Sequence, residues 1–521
     1  MLGKILKNKS LIIFILPFVL GCLTVFSFQP FNYTFVNFAI MPIYFLITSY
    51  VGKMTKNKYR NKPFYSSLFF VGLSFGFGFF LSGNYWISYS LTFDESFKYL
   101  IPFALILIPL FLGIYFGLGT LISGIFIQNN FISILFFASS LALVDFLRSK
   151  MLTGFPWNLW GYSWSWFPEI LQILNPIGIF AFNLLTLTIF LSPLLLIFKK
   201  NYYSKLIFFF LCSIFFINYL YGSYIINNGI VDYNKLELNK KNTINVKIVS
   251  PNFELEYNPS EQKVEESLNK LIRYSEPKRQ KETIFIWPEG IFAGSEFSEI
   301  LKYKNIIKEK FSKNHIIIFG INTFDKEKNS FYNSLIAINN NFEILYKYNK
   351  RKLVPFGEFL PFQSHLEKYG FKKVTSGFGS FLEGELNSNF VTDKFNILPL
   401  ICYEIIFTEL TQIASEETSL IVNISEDAWF GGSIGPYQHF SKAIFRAIES
   451  NIFVARAANK GVSGFINNQG IVIKSLKPSE AGNIELEILT RNSNFRNKND
   501  LIFFALLFTY IIFFFTLRNK L

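Results

Sequence analysis

Eight apolar stretches constrain this chain more than any other feature. Seven lie in the first ~225 residues, at about 11–28, 35–52, 66–92, 99–126, 131–147, 176–198 and 203–226; the eighth is Leu501–Leu517. Most reach the ~20 residues that cross a bilayer core. The fifth is the weakest, because Asp145 and Arg148 crowd its end. At 51% hydrophobic residues, with 66 Phe and a mean hydropathy of +0.31, the chain is too apolar for a soluble protein of 521 residues. Its net charge of +14 does not point to nucleic acid. The lysines cluster at the ends of apolar stretches, which fits topology signals and anionic lipid.

Charge also sets an orientation. Lys4, Lys7 and Lys9 precede the first stretch, Lys53 to Lys62 separate the second and third, and Lys199, Lys200 and Lys205 separate the sixth and seventh. With alternating spans all of these share one side, and the positive-inside rule makes it cytoplasmic. The segment after the seventh span is then outside, and Arg518 and Lys520 return inside. Arg148 and Lys150 are exceptions. The first stretch also has the alternative reading of a signal peptide, although no small-residue cleavage site stands out.

Residues 245–490 differ in kind, with charges spread evenly and short β-rich runs alternating with helical ones. The pattern predicts strands at Asn245–Ser250, Thr283–Trp287, His315–Gly320, Asn333–Ile338, Phe395–Cys402, Leu420–Ile424, Phe453–Ala457, Gly464–Asn467 and Ile471–Ser475. It predicts helices at Glu261–Ser275, Ser298–Lys313, Glu404–Ser415 and Pro436–Ser450. Interleaved strands and helices argue for a layered α/β domain. The expected organisation is a membrane domain over 1–226, a tether over 227–244, a catalytic domain over 245–490 and a terminal span over 500–517. Three dispersed cysteines and three scattered histidines offer no disulfide framework and no zinc pattern, so no metal and no cofactor are expected.

Three segments place a reactive group at or near the end of a probable strand. In Ile284-Phe285-Ile286-Trp287-Pro288-Glu289, Pro288 stops the strand and leaves Glu289 beyond it. In Leu398-Pro399-Leu400-Ile401-Cys402-Tyr403-Glu404, the thiol of Cys402 is the only one outside the apolar stretches. Between them lies Lys350, in Asn349-Lys350-Arg351-Lys352-Leu353-Val354-Pro355-Phe356-Gly357-Glu358. A carboxylate, an ammonium and a thiol can make an acyl-transfer site, as base, oxyanion stabiliser and nucleophile. Read alone, Cys402 is equally an ordinary buried small residue, and the lysine run a solvated face.

In their order and spacing, the three motifs resemble the Glu-Lys-Cys triad of the nitrilase superfamily. The resemblance extends through Ser425–Phe440, Arg446-Ala447-Ile448-Glu449 and Arg456-Ala457-Ala458-Asn459. A domain of this kind between seven spans and one terminal span resembles the apolipoprotein N-acyltransferase family. Phe28-Gln29-Pro30-Phe31, Gly83-Asn84-Tyr85-Trp86 and Gly154-Phe155-Pro156-Trp157-Asn158 are similar to that family's membrane part. The resemblance implies an eight-span α-helical membrane domain plus an extracytoplasmic αββα sandwich. It implies Glu289, Lys350 and Cys402 as catalytic residues and Glu358, Glu404 and Tyr403 in support. Tyr257, Phe359 and Trp429 are candidates for substrate contact, and Leu360, Phe362, Phe378 and Phe381 for the lining of an acyl path. The implied partners are a phospholipid acyl donor and diacylglyceryl apolipoproteins, with no nucleic acid, for a monomer in the bacterial inner membrane with its catalytic domain on the periplasmic side. A thioester on Cys402 is expected, with the Lys350 charge favouring the thiolate. The alternatives are a membrane-tethered amidohydrolase and a non-catalytic lipoprotein-binding scaffold. Three features depart from the family pattern: Glu426 before Asp-Ala-Trp-Phe, Lys460 after Asn459, and no Trp after Ser250-Pro251-Asn252, where Tyr257 is the better aromatic candidate.

Overall fold

The structure is a computed structural model. It describes residues 8–56, 65–198, 202–237, 243–256, 259–292, 294–366, 368, 373, 379–385, 389–412, 414, 417–489 and 500–517. The chain divides into two compact units: Met1–Thr92, Ser96–Ile226 and Lys498–Leu521 form one, Phe93–Glu95 and Asn227–Asn497 the other.

The first unit is helical. Six helices are long and apolar enough to cross a membrane: Thr34–Met54, Tyr65–Thr92, Glu95–Gly124, Phe131–Lys150, Leu174–Ile197 and Tyr202–Gly229. The first and eighth expected spans form shorter apolar helices, Leu11–Ser27 and Leu501–Leu517. Aromatic rings carry much of the packing, as in Tyr44 on Phe75 (centroids 4.0 Å) and Phe136 on Phe514 (4.0 Å).

The fifth stretch, the weakest by sequence, forms a membrane-length helix over Phe131–Lys150, and the charges that crowd its end satisfy each other. Asp145 accepts from Arg148 Nη2 at 2.9 Å and from Asn183 Nδ2 at 3.1 Å. Arg148 also donates to the Phe155 carbonyl and lies over the Phe80 ring. The seventh helix continues to Glu237, through residues expected as a tether, because helical backbone bonding outlasts the apolar run.

The second unit holds two six-stranded sheets. One has the order β12-β1-β2-β3-β4-β5, from β1 (Thr243–Ser250), β2 (Thr283–Ile286), β3 (His315–Asp325), β4 (Ser330–Ile338), β5 (Ile344–Asn349) and β12 (Gly482–Leu489). The other has the order β11-β10-β9-β8-β7-β6, from β6 (Phe390–Val391), β7 (Asn396–Ile401), β8 (Leu420–Glu426), β9 (Phe453–Asn459), β10 (Ser463–Ile466) and β11 (Val472–Leu476). Alternate side chains point to opposite faces. Ile244, Val246, Ile284 and Ile488 of the first sheet meet Ile397 and Leu420 of the second. On the outer face of the first sheet, Phe285, Trp287, Ile317 and Phe319 pack with Val264, Leu268, Leu271 and Ile272 of helix Glu261–Ser275. That 4-3-1 spacing is a single apolar helix stripe, and each such side chain contributes ~2 kcal/mol on burial. Helix Gly435–Ser450 covers the second sheet; its Phe440 lies within 3.3 Å of the position a Cβ would take on Gly464 of β10. The result is the expected αββα sandwich.

Some elements differ in detail. The predicted helix Glu404–Ser415 is instead a 3-10 turn, Cys402–Ile406, and a single turn, Thr408–Thr411. The Glu404 side chain is tied to backbone N–H groups across the site, which fixes that turn. Ser298–Lys313 is broken into Phe297–Ile300, Leu301–Tyr303 and Lys304–Lys310. Strands β5, β6 and β12 were not foreseen. β12 runs antiparallel to β1 from Gly482↔Ser250 to Leu489↔Thr243 and closes the first sheet's edge.

Candidate active site

The parallel runs β1-β2-β3 and β7-β8-β9 put the carboxyl ends of these strands on one edge of their sheets, where α/β domains commonly place their chemistry. Glu289 lies three residues past β2, Lys350 directly after β5 and Cys402 directly after β7. All three are buried, at 8%, 1% and 8% exposure. Gly290 turns the chain after Glu289 with φ +73°; a Cβ there would sit 2.5 Å from Glu426 Oε2. Gly320 on β3 leaves room beside the Glu289 Cα, which a Cβ would approach to 2.9 Å.

Lys350 is gripped by two carboxylates. Its Nζ lies 2.8 Å from Glu358 Oε1 and 3.6 Å from Glu289 Oε1. Asn333 on β4 bridges the same two oxygens, donating from Nδ2 to Glu289 Oε1 at 2.7 Å and to Glu358 Oε1 at 2.8 Å. The remaining oxygens accept backbone N–H groups: Glu289 Oε2 from Glu426 at 3.0 Å, and Glu358 Oε2 from Val354 at 2.8 Å. Burial alone would pull the Lys350 pKa down, but the charges of Glu358, Glu289 and Cys402 outweigh it and the net shift is upward. The two carboxylates thus favour its charged form.

Cys402 takes φ +51°, a left-handed conformation unusual for a non-glycine residue, at a sharp strand-to-turn corner. Its surroundings favour the neutral thiol, with the Lys350 charge acting in the expected direction toward the thiolate. Burial pushes its pKa up, the Glu289 charge pushes further, and Lys350 only partly opposes them. Lys350 spends its charge on two carboxylates first.

Glu404, expected in a supporting role, bonds to the segment that carries Lys350. Oε1 accepts from Tyr348 Oη at 2.9 Å, Arg351 N at 2.7 Å and Lys352 N at 3.2 Å, and Oε2 accepts from Ile401 N at 2.7 Å. One buried carboxylate thus ties the segment after β5 to the end of β7. Tyr403 is buried beside Phe407, with ring centroids 5.0 Å apart. Trp429 is half-buried with its ring edge-on to Phe93 at 5.1 Å, within the same unit. Phe359 is half-buried, and its carbonyl accepts from Phe356 N at 2.8 Å. Leu360 is core at 4% exposure, Phe362 is exposed at 75% and Phe381 is half-buried. Tyr257 and Phe378 lie outside the described residues. Among the described residues no group of His, Cys, Asp and Glu is arranged to hold a metal ion.

Residues 20–192 match the model of the apolipoprotein N-acyltransferase N-terminal domain, and residues 257–491 that of carbon-nitrogen hydrolase. The chain is 30% identical over 480 residues to apolipoprotein N-acyltransferase of Rhodopseudomonas palustris, covering 89% of this chain and 87% of that protein. It belongs to the apolipoprotein N-acyltransferase family. The Rickettsia typhi protein of that name is 31% identical over 484 residues, with 90% and 91% covered. Among solved structures, Saccharomyces cerevisiae Nit3, a member of branch 10 of the nitrilase superfamily, is similar to 48% of this chain over 90% of its own length (16% identity, TM-score 0.36).

The departures from the family pattern find partners. Glu426 accepts from Asn459 Nδ2 at 2.9 Å and from Ala428 N at 3.0 Å; burial, with Glu289 and Asp427 nearby, raises its pKa far above the carboxylate range. Lys460 pairs with Glu254. Asn459 accepts from Phe253 N at 2.8 Å and donates to Phe253 O at 3.0 Å, fastening the segment after β1. Asn333 was missed as a site residue. Its one sequence signal is an amide opening a strand that is otherwise largely apolar, Asn333–Ile338. A buried group of Asp427, His439 and Arg456 behind Cys402 was quoted in the motifs without a role.

Proposed function

We propose that this member of the apolipoprotein N-acyltransferase family N-acylates the terminal diacylglyceryl-cysteine of apolipoproteins through a thioester on Cys402, the last step of bacterial lipoprotein maturation. The observation that carries this is one buried cation, Lys350, held between Glu289 and Glu358 at the edge where the Cys402 corner also lies.

In the first half-reaction Glu289 takes the Cys402 Sγ proton as Sγ attacks the ester carbonyl of a phospholipid. Lys350 and the backbone N–H of Tyr403 hold the oxyanion, each good donor contributing ~3 kcal/mol. The C–O bond breaks and Glu289 returns the proton to the lysophospholipid oxygen. In the second half-reaction the neutral α-amine of the diacylglyceryl-cysteine attacks the thioester and passes its proton to Glu289. The C–S bond then breaks and Sγ recovers that proton. Glu358 and Asn333 orient Lys350 and Glu289, while Glu404 fixes the backbone that carries Lys350 and Cys402. Tyr257, Phe359 and Trp429 are the proposed lipid contacts.

The lysine distribution supports an inner-membrane location with the catalytic unit on the periplasmic side, facing both lipid substrates. One chain supplies all three reacting groups, so a monomer suffices.

The test is mass spectrometry of purified protein after incubation with phospholipid. A hydroxylamine-labile acyl mass on Cys402, absent in Cys402→Ala and transferred to a diacylated lipopeptide, is the expected result. Release of free fatty acid without N-acylated peptide would show a hydrolase instead. No adduct under any condition would remove the thioester.

A further inference from the structure

The peptide unit joining Cys402 to Tyr403 carries both a clamped carbonyl and the proposed oxyanion donor. His439 Nε2 lies 3.2 Å from the Cys402 carbonyl oxygen. His439 sits fully buried in helix Gly435–Ser450, with Phe430 edge-on at 5.4 Å, so its ring has no freedom to turn. On its far side Nδ1 lies 2.9 Å from Arg456 Nη2 and 3.0 Å from Asp427 Oδ1. Arg456 Nη2 also lies 3.0 Å and 2.9 Å from the two Asp427 oxygens, and Ser425 Oγ donates to Asp427 Oδ1 at 2.7 Å. Arg456 reaches Asn423 as well, and Asn423 donates to the Leu400 carbonyl of β7 at 3.1 Å.

Asp427 Oδ1 favours a proton on Nδ1, whereas the Cys402 carbonyl, which can only accept, and Arg456, which can only donate, favour it on Nε2; Asp427 has Arg456 and Ser425 as donors in its place. Burial and then the Arg456 charge hold the His439 pKa down to about 4, so the ring is neutral. A neutral ring has one donor and one acceptor. Arg456 supplies a donor to Nδ1, which leaves Nε2–H to donate to the Cys402 carbonyl. The only cis peptide among the described residues is Gln29-Pro30, so the Cys402–Tyr403 unit is trans. In a trans unit the N–H points opposite to the C=O. A donor on the oxygen therefore fixes where the N–H points, and polarises it, since bonded amides strengthen one another.

We infer that His439 is a positioning residue for the oxyanion site, acting through the Cys402 carbonyl on the Tyr403 N–H, with Asp427 and Arg456 as its mount. This rests on the proposed role of the Tyr403 N–H.

The test uses full-length protein in phospholipid micelles and two reactions of the same thiol. Acylation by phospholipid passes through a tetrahedral oxyanion; alkylation by iodoacetamide is a direct displacement and does not. His439→Gln keeps an N–H where Nε2 was, whereas His439→Asn keeps one only where Nδ1 was. Acylation of Cys402 is expected to fall about tenfold or more in His439→Asn and less than about threefold in His439→Gln, a weakened rather than deleted oxyanion donor. Alkylation should proceed alike in both variants and the parent. Equal acylation in the two variants, or acylation and alkylation falling together, would overturn the inference while leaving the thioester intact. If the parent protein itself takes no acyl group on Cys402, the reading of the site fails, and this inference with it.

Discussion

Asn333→Asp is the sharpest perturbation of the site, because it changes charge while barely changing shape. Asn333 Nδ2 donates to Glu289 Oε1 at 2.7 Å and Glu358 Oε1 at 2.8 Å. The substitution removes two hydrogen bonds to charged groups, each worth ~1.5–3 kcal/mol. It also brings a third carboxylate to a cluster whose cation is Lys350. Two like charges ~4 Å apart repel by ~4 kcal/mol at an effective dielectric of 20. The cheapest relief is uptake of a proton shared among the three carboxyls, and ~4 kcal/mol is worth about three pH units. Three units above an ordinary carboxyl bring that shared proton's pKa to about 7, so roughly half of the protein has its base occupied at neutral pH. The rate of acyl-Cys402 formation should fall severalfold and recover as the pH is raised, a displacement that follows from that ~4 kcal/mol. Asn333→Ala removes the donors without adding charge, so it should lower the rate with no alkaline recovery. Rapid-quench mass spectrometry of the Cys402 peptide across pH measures both. Identical pH profiles for Asn333→Asp and Asn333→Ala would refute the charge count on which the mechanism stands.

Four further outcomes are expected. Folded His439 resists protonation until about 4, against an ordinary 6.5, whereas the unfolded chain binds that proton near its ordinary value. Acidification across that window therefore favours unfolding by up to ~3 kcal/mol, and thermal melting against pH should show this loss in the parent protein and not in His439→Gln. Burial, then the Glu289 and Asp427 charges, push Glu426 toward its neutral form, so Glu426→Gln should leave activity within about twofold. Glu404→Gln replaces one of two oxygens that accept only donors with an amide N–H. It should lower unfolding free energy by ~3 kcal/mol in denaturant titrations, the cost of a buried group facing its own kind. In the membrane unit, Arg148→Met alone leaves Asp145 buried without its cation and should cost ~3–5 kcal/mol, read as loss of folded protein in detergent. The double variant with Asp145→Leu should recover much of it.

The parts of this protein that were legible in its sequence are those written in contiguous residues. Apolar runs near bilayer length announced the helices. Pro288 after Trp287, and Cys402 at the end of an apolar strand, announced two corners of the site. What stayed hidden are bonds that join residues far apart in the chain: Asn333 to Glu289 across 44 positions, His439 to the Cys402 carbonyl across 37 and Glu404 to the Arg351 N–H across 53. No local periodicity encodes them, so the supporting role of Glu404 came without the backbone groups through which it acts. Glu426 and Lys460 stood out as departures in the sequence. Their meaning lies in Asn459 and Glu254, which local spacing does not connect to them. The thiolate shows the same limit in energetic form. A lysine near a cysteine suggests an activated thiol, but the state of the thiol depends on the sum of all nearby charges. Here that sum includes two carboxylates already sharing the ammonium, so activation waits for Glu289 to accept the proton. In the proposed mechanism such a site would keep Cys402 neutral at rest and release the Lys350 field to it only as Glu289 takes the proton, coupling thiolate formation to the attack that uses it.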